Sequence, residues 1–276
     1  MRHFGGSGGG CGGASTRRLP LSAGERKRPG MPSPDDPQKI LTKPCLPKRF
    51  YREAAVQAKD SGFALTLDGK VAKTPGKRPM LLPTGPAAAL VAAEFAAQAE
   101  VIDPVSMPVM RLCNSVIDGV AGQESAVAED AARYAASDLL CYRGTFPDAL
   151  IARQNAAWDP VLQGYVVRHG LTFKTTPGIV FVEQQPASLA GIRRLTGTLN
   201  AFELACVHQM TTLMGSVLLA LAVAEGAIVP ESAWNAAHVD EDWEISQWGE
   251  DDEAIARRRH RTFEFMASVA LLTAVR

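Results

Sequence analysis

The sequence predicts an α+β protein: a small N-terminal β-rich domain with a helix, followed by a larger all-helical C-terminal domain. Strand-type residues flank an Asp-Gly pair early in the chain, apolar residues recur at helical spacing from Ser125 onward, and the first residues lack packing side chains. The predicted divisions are 1–48 for a disordered tail and linker, 49–124 for the β-rich domain and 125–276 for the helical domain.

The tail, residues 1–30, is rich in Gly, Ser and Arg and has few apolar side chains. Such a composition predicts disorder because little surface can be buried. The tail lacks the apolar stretch of a secretory signal, and its Arg-rich, acid-poor character loosely resembles an organellar transit peptide. A start of translation at Met31 is the simpler alternative. A Pro-rich linker then continues to about Lys48.

The β-rich domain is predicted from the segment "GFALTLDGKVAKTP". Asp68-Gly69 is a two-residue pair that accepts positive φ at both positions, so 63–67 and 70–74 should form a tight hairpin. The segment "MLLPT" predicts a third short strand. Thr84 should then cap a helix that runs to about Gln98, with a proline in its first turn. A second helix is expected from about Pro108.

The rest of the chain has predominantly helical periodicity. Helices are predicted near 125–140, 147–168, 187–197, 200–224, 231–247 and 250–274. The apolar run 213–224 is too short to cross a bilayer, so it should be a buried core helix and no membrane insertion is expected. The stretch 171–185 predicts two short strands, either a hairpin on the helical body or a strand added to the first domain's sheet.

Composition argues against several classes of function. The 29 basic and 29 acidic residues balance, so no overall field attracts a polyanion and we expect no nucleic-acid partner. Basic residues between Lys70 and Arg78 are better explained as solvated charges of the hairpin than as a phosphate loop, because the glycine spacing is wrong. The five cysteines lie at wide spacings and no two histidines are paired on a helix face, so neither a metal nor a cofactor is expected.

The segment "VDEDWEISQWGEDDEAIARRRH" is the strongest candidate for a functional site. Its first acids lie close enough for one to have a raised pKa, which leaves open a hydrolase that uses Asp240 and Glu241 as acid and base in an interdomain cleft. A single helix 231–247 would instead align Trp234, Glu241 and Trp248 along one stripe, and a neighbouring stripe would carry Asp240 and Trp243. Unpaired acids beside Trp243 would then form an aromatic anchor with a polar rim, which is typical of docking surfaces.

The second acid run has a structural explanation. Residues 250–253 are four acids in the first turn of the predicted last helix, where they stabilise the positive end of the helix dipole. Glu253 and Arg257 have the i,i+4 spacing of a favourable ion pair. We therefore assign the first acid run, and not the second, to the candidate site.

Eight segments of the chain resemble, in order, the ATP-twelve family of ATP synthase assembly chaperones. The resemblance covers roughly residues 49 to 274 and is carried by "LDGKVAKTP", "LLPT", "AAEFAAQ", "IDPVSMPVMRLCNSVID", "SDLLCYR", "QNAAWDPVL", "LMGSVLLALAVAEG" and "DEDWEISQWGEDDEA". It implies a two-domain chaperone without enzymatic activity or a need for nucleotide. Such a protein would bind the free alpha subunit of the ATP synthase catalytic head and cover the surface that later contacts the beta subunit.

The resemblance also implies site residues. Asp240 matches a family position that is important for function, and Phe95 replaces a tryptophan that the family usually has, which removes an indole donor. The expected partner-binding residues are Asp240, Glu241, Asp242, Trp243, Gln247, Trp248 and Phe95. We expect a monomer when free, in the cytoplasm of a bacterium or in the mitochondrial matrix of a eukaryote.

Overall fold

A computed structural model of the protein describes residues 46–276, and Leu46–Arg276 form one compact unit. The predicted tail and linker therefore lie outside the described residues, except for 46–48. One cluster of buried apolar side chains extends through the unit and includes Tyr51 near its start and Leu272 near its end. A division at residues 124 and 125 stays a prediction.

A four-stranded antiparallel sheet forms the first part of the unit. Its strands are β1 (Ala54–Lys59), β2 (Gly62–Leu67), β3 (Lys70–Val71) and β4 (Leu81–Leu82). The central strand β2 pairs with β1 along one edge and with β3 and β4 along the other. Asp68 and Gly69 both have positive φ, of 47° and 76°, so the predicted Asp-Gly turn is confirmed. Strand β3 is shorter than predicted, and β1 was not predicted.

Two helices cover this sheet and continue from it. Helix α1 (Gly85–Ala96) contacts β1 and β2, and the Thr84 hydroxyl accepts a hydrogen bond from the Ala87 N–H at 3.2 Å, as predicted for its N-cap. Helix α2 (Pro108–Ser115) begins at the predicted proline. The fold class, a small sheet region followed by a mostly helical region, is confirmed.

The helical part forms the larger share of the unit. Its helices are α3 (Glu124–Arg133), α4 (Asp148–His169), α5 (Pro186–Gly197), α6 (Ala201–Met214), α7 (Val217–Ala224), α8 (Pro230–Ala237), α9 (Val239–Trp248) and α10 (Asp252–Ala274). All residues of α7 are buried, as expected for a core helix. Across residues 46–276, no helix has the length and apolar character needed to cross a membrane.

Two predicted helices are interrupted. The helix expected at 200–224 ends at Gly215, whose φ of 68° is left-handed, and Ser216 caps α7 by accepting from the Leu219 N–H at 3.0 Å. The helix expected at 231–247 is broken at His238, whose φ of −117° and ψ of 19° are not helical. The second break matters for the candidate site because it separates α8 from α9.

The two strands predicted in 171–185, on either side of residues 176–178, are absent; residues 176–177 themselves form a strand, and both predicted pairings are wrong. Strand β5 (Tyr142–Arg143) pairs in parallel with β6 (Thr176–Pro177). Parallel strands need a long crossover, and α4 provides it. Strand β6 is therefore neither half of a local hairpin nor part of the N-terminal sheet.

Candidate partner-binding site

The break at His238 gives the two tryptophans of the predicted stripe different environments. Trp234, on α8, is 6% exposed and its ring lies 4.9 Å from that of Phe265 on α10. Trp248, at the end of α9, is 89% exposed. The prediction that one helix aligns both tryptophans is wrong, because the helix is broken at His238 between them. Trp234 belongs to the core, and Trp248 belongs to the surface.

Asp240 is exposed in the first turn of α9 and is oriented by α4. Its Oδ1 accepts a hydrogen bond from Nε2 of Gln154 at 2.6 Å. Oε1 of the same glutamine accepts from the Gly144 N–H at 2.7 Å. Gln154 is itself buried. This chain of hydrogen bonds therefore fixes the Asp240 carboxylate relative to α4 and to the loop that follows β5.

The two acids that follow Asp240 face α10. Arg258 forms an ion pair with Asp242, and its Nη1 lies 4.0 Å from Oε2 of Glu241. Glu241 Oε2 also lies 3.9 Å from Nε2 of the buried His238. The predicted picture of unpaired acids beside Trp243 is thus wrong for Asp242, because α10 places an arginine against it. This acid attaches α9 to α10.

The remaining α9 residues of the predicted site differ in exposure. Trp243 is partly buried, and the Arg153 guanidinium lies 4.8 Å from its ring centroid, a cation–π geometry that links α9 to α4. Gln247 is exposed, and its side chain donates to Ser246 Oγ at 3.1 Å. Gln247 and Trp248 therefore present exposed amide and aromatic surface at the end of the helix.

Phe95 lies on α1, away from α9 in the fold. Its ring packs edge-on against Tyr51 at 5.6 Å, and its carbonyl accepts from the Tyr51 hydroxyl at 2.8 Å. It lines a largely apolar cavity of about 790 Å³ together with Phe50, which is 74% exposed. No α9 residue lines this cavity. The structure thus does not bring Phe95 together with the acidic segment.

The geometry does not match the hydrolase alternative. Asp242 lines an open cleft of about 470 Å³ beside α4, and Glu241 lines another of about 320 Å³ between α9 and α10. Asp240 lines neither. Neither cleft is lined by both Asp240 and Glu241, whereas an acid and a base acting on one substrate would face the same pocket. In the part of the chain that the structure describes, no group of three or more His, Cys, Asp or Glu side chains is placed to hold a metal ion.

Sequence reasoning missed the residues that position the acids. Arg153 and Gln154 contact α9 from α4, which is distant in sequence, and Arg258 contacts it from α10, the next helix. Their residue types are common on exposed helix faces, and neither their spacing nor their neighbours distinguish them. Only the packing of α4 and α10 around α9 reveals what they do.

Comparisons with known proteins place these observations in context. A model of the ATP12 chaperone protein family matches residues 48–165. The crystal structure of Atp12 from Paracoccus denitrificans is similar, with 35% identity and a TM-score of 0.78 over 83% of this chain and 99% of that one. A variant of that protein with one aspartate replaced by lysine gives the same values, with 98% of that chain covered. The Atu1473 protein of Agrobacterium tumefaciens has 42% identity and a TM-score of 0.81 over 89% of this chain and 92% of that one.

Proposed function

The chain belongs to the ATP12 chaperone family, and on this premise we propose that it binds the unassembled alpha subunit of the ATP synthase catalytic head and prevents its aggregation. The family supports a chaperone role in ATP synthase assembly. The proposed client is the alpha subunit, and the protein would act on it as a non-enzymatic chaperone that needs no nucleotide. The single observation that carries it is the similarity to Atp12, which extends over nearly the whole of that structure.

The physical need for such a protein follows from subunit assembly. A subunit of a ring exposes apolar surface until its neighbours arrive, and an exposed patch of this kind promotes association with wrong partners. A temporary cover must also be released to the next subunit. Charges at the rim of an interface suit this requirement because they affect association rate and partner choice more than affinity.

We assign the exposed part of α9 to the client contact. Asp240 provides a fixed, exposed carboxylate, and Trp248 provides an aromatic side chain that is 89% exposed. Aromatic side chains are enriched where proteins dock, and so large an exposed one has no packing role in the free protein. Glu241 and Asp242 support the site indirectly, through their contacts with α10.

The experiment is an aggregation assay with purified alpha subunit. Light scattering of the alpha subunit on dilution from denaturant should fall when the protein is present at equal stoichiometry, without ATP. Asp240→Lys should remove most of this effect because it reverses the charge at the contact. Asp60→Lys makes the same charge change in the exposed turn between β1 and β2, and it should keep full activity. Unchanged scattering with the native protein would contradict the proposal.

Two further expectations belong to the same proposal. The free protein acts as a monomer, which light scattering coupled to size-exclusion chromatography measures directly. It acts in the compartment where the alpha subunit assembles, the bacterial cytoplasm or the mitochondrial matrix. Fractionation of cells that express a tagged chain at its natural level tests the second point.

A further inference from the structure

Four apolar side chains are exposed together at one end of the β5–β6 pair. Phe146 is 82% exposed, Ile179 is 96%, Val180 is 73% and Phe181 is 64%. Because β5 and β6 run in parallel, the chain leaves both strands at the same end, and the Gly178 N–H donates to the Arg143 carbonyl at 2.8 Å just past the pair. The two following loops therefore lie side by side. We call these four residues the apolar loop patch.

The apolar loop patch is large for a surface feature. Its four side chains expose on the order of 500 Å² of apolar area, which is near the upper end for the largest patch on a monomeric protein. Residues 175–182 include no charged side chain. Within residues 46–276, no hydrogen bond to another residue involves the backbone of 179–182. The patch is thus uncharged, and its backbone groups are open to a partner.

The apolar loop patch is connected to the exposed part of α9. The Gly144 N–H, two residues before Phe146, donates to Gln154, and Gln154 donates to Asp240. One buried glutamine thus holds both the loop after β5 and the carboxylate of the proposed client contact. The two surfaces are neighbours in a fixed arrangement. A single partner that contacts Asp240 can therefore also reach the patch.

The size of the exposed surfaces favours one partner that contacts both the apolar loop patch and α9. A specific interface buries about 800 Å² on each side, so neither the patch nor a single helix end suffices alone. Together they supply an apolar centre and a charged rim, the usual anatomy of a protein interface. We propose that the apolar loop patch is the hydrophobic half of the client-binding surface and packs into apolar surface of the unassembled alpha subunit. This inference rests on the proposed function.

The test measures binding of purified alpha subunit to the full chain. The double variant Ile179→Ser/Phe181→Ser should weaken binding at least about tenfold, because a few large anchors near the centre of an interface carry most of its binding energy. Val105→Ser removes an exposed apolar side chain near α2, 60% exposed, and should bind as the native protein does. All three proteins should have the same thermal unfolding midpoint, since the changed side chains are exposed. A photo-crosslinking amino acid at position 181 should attach to the alpha subunit, and the same amino acid at position 105 should not.

The outcomes separate this inference from the proposed function. If the native protein binds the alpha subunit and the double variant binds it equally well, the apolar loop patch is not part of the contact and the proposed function stands. If the native protein does not bind, both fail. If the double variant loses self-association or binding to phospholipid vesicles while client binding is unchanged, the patch serves a second copy or a membrane, and the inference is overturned.

Discussion

Asp138 is the buried carboxyl group that gives the protein its clearest expected pH dependence. Its side chain is inaccessible to solvent and accepts hydrogen bonds from the Ser216 hydroxyl at 2.7 Å, the Leu140 N–H at 3.1 Å and the Leu218 N–H at 3.2 Å. Burial disfavours the charged form more than these hydrogen bonds favour it. The pKa of Asp138 is consequently raised from its ordinary 3.8 to about 6.

The direction of the effect on stability follows from where the proton binds more tightly. The folded protein holds the Asp138 proton more tightly than the unfolded chain, so this group's stabilising contribution is complete below about pH 4 and is lost as pH rises through about 6. A difference of about two pKa units corresponds to about 3 kcal/mol in total. Between pH 4.5 and 7.5, the part that is lost is about 2 kcal/mol.

Asp138→Asn removes this titration. From pH 4.5 to 7.5 the native protein should lose about 2 kcal/mol of stability that the variant keeps. The free energy of unfolding of the variant, relative to that of the native protein, should therefore rise by about 2 kcal/mol over this range, whatever the size of the difference at pH 4.5. Urea unfolding followed by tryptophan fluorescence at several pH values measures this difference. Asp118→Asn is the control: hydrogen bonds from the Thr74 hydroxyl and the Gly76 N–H lower the pKa of Asp118, so its contribution is lost only as pH falls below about 4. A difference between Asp138→Asn and native protein that stayed constant across the range would refute the reasoning.

Three other predictions follow from the packing and burial of particular side chains. A methyl group at Gly191 in α5 would overlap the side chain of buried Leu171, so Gly191→Ala should lower the free energy of unfolding by about 1–3 kcal/mol. Gly197 lies in the same helix, and a methyl group there would meet nothing within 4 Å, so Gly197→Ala should raise the free energy of unfolding by up to about 1 kcal/mol. Urea titrations measure both changes. Trp158→Phe should lower the free energy of unfolding, measured by calorimetry, by about 1–3 kcal/mol. The buried indole N–H donates to the Ala236 carbonyl at 2.6 Å, and in the variant that oxygen would lose its partner. Burial raises the pKa of three thiols, so alkylation with iodoacetamide, mapped by mass spectrometry, should modify them only after unfolding. These are Cys113, Cys141 and Cys206.

Local signals in the sequence predicted local structure well. The Asp68-Gly69 turn, the Thr84 cap and the proline at the start of α2 depend on the conformations of a few neighbouring residues, and all three are present. The last helix begins at Asp252, two residues later than predicted, so only two of the four acids lie in its first turn; the predicted ion pair between Glu253 and Arg257 is present at 2.8 Å. Each feature is decided within about one helical turn, so sequence spacing suffices to identify it.

Two of the three errors arose where contacts between separate elements decide the structure. The pairing of β5 with β6 depends on the crossover through α4, which no local pattern reveals. The break at His238 has no glycine or proline to mark it, and a ring nitrogen of His238 lies 2.7 Å from the carbonyl of Trp234 at the turn. The ion pair of Asp242 depends on Arg258, which lies on another helix. The strand pairing and the ion pair join separate elements, whereas the His238 contact is local and no helix-breaking residue marks it.

These long-range contacts change how the acidic segment is understood. Asp242 is held by Arg258, so a charge at this position serves chiefly to fix α9 in place. Asp240 is held instead by an uncharged amide, which orients the carboxylate without neutralising it. A fixed and exposed charge is better suited to an incoming protein than one already paired, because it need not break an ion pair to form a new contact. On the proposed function, Asp242 would support the client-binding surface and Asp240 would present it, and the glutamine that orients Asp240 also holds the loop that bears Phe146.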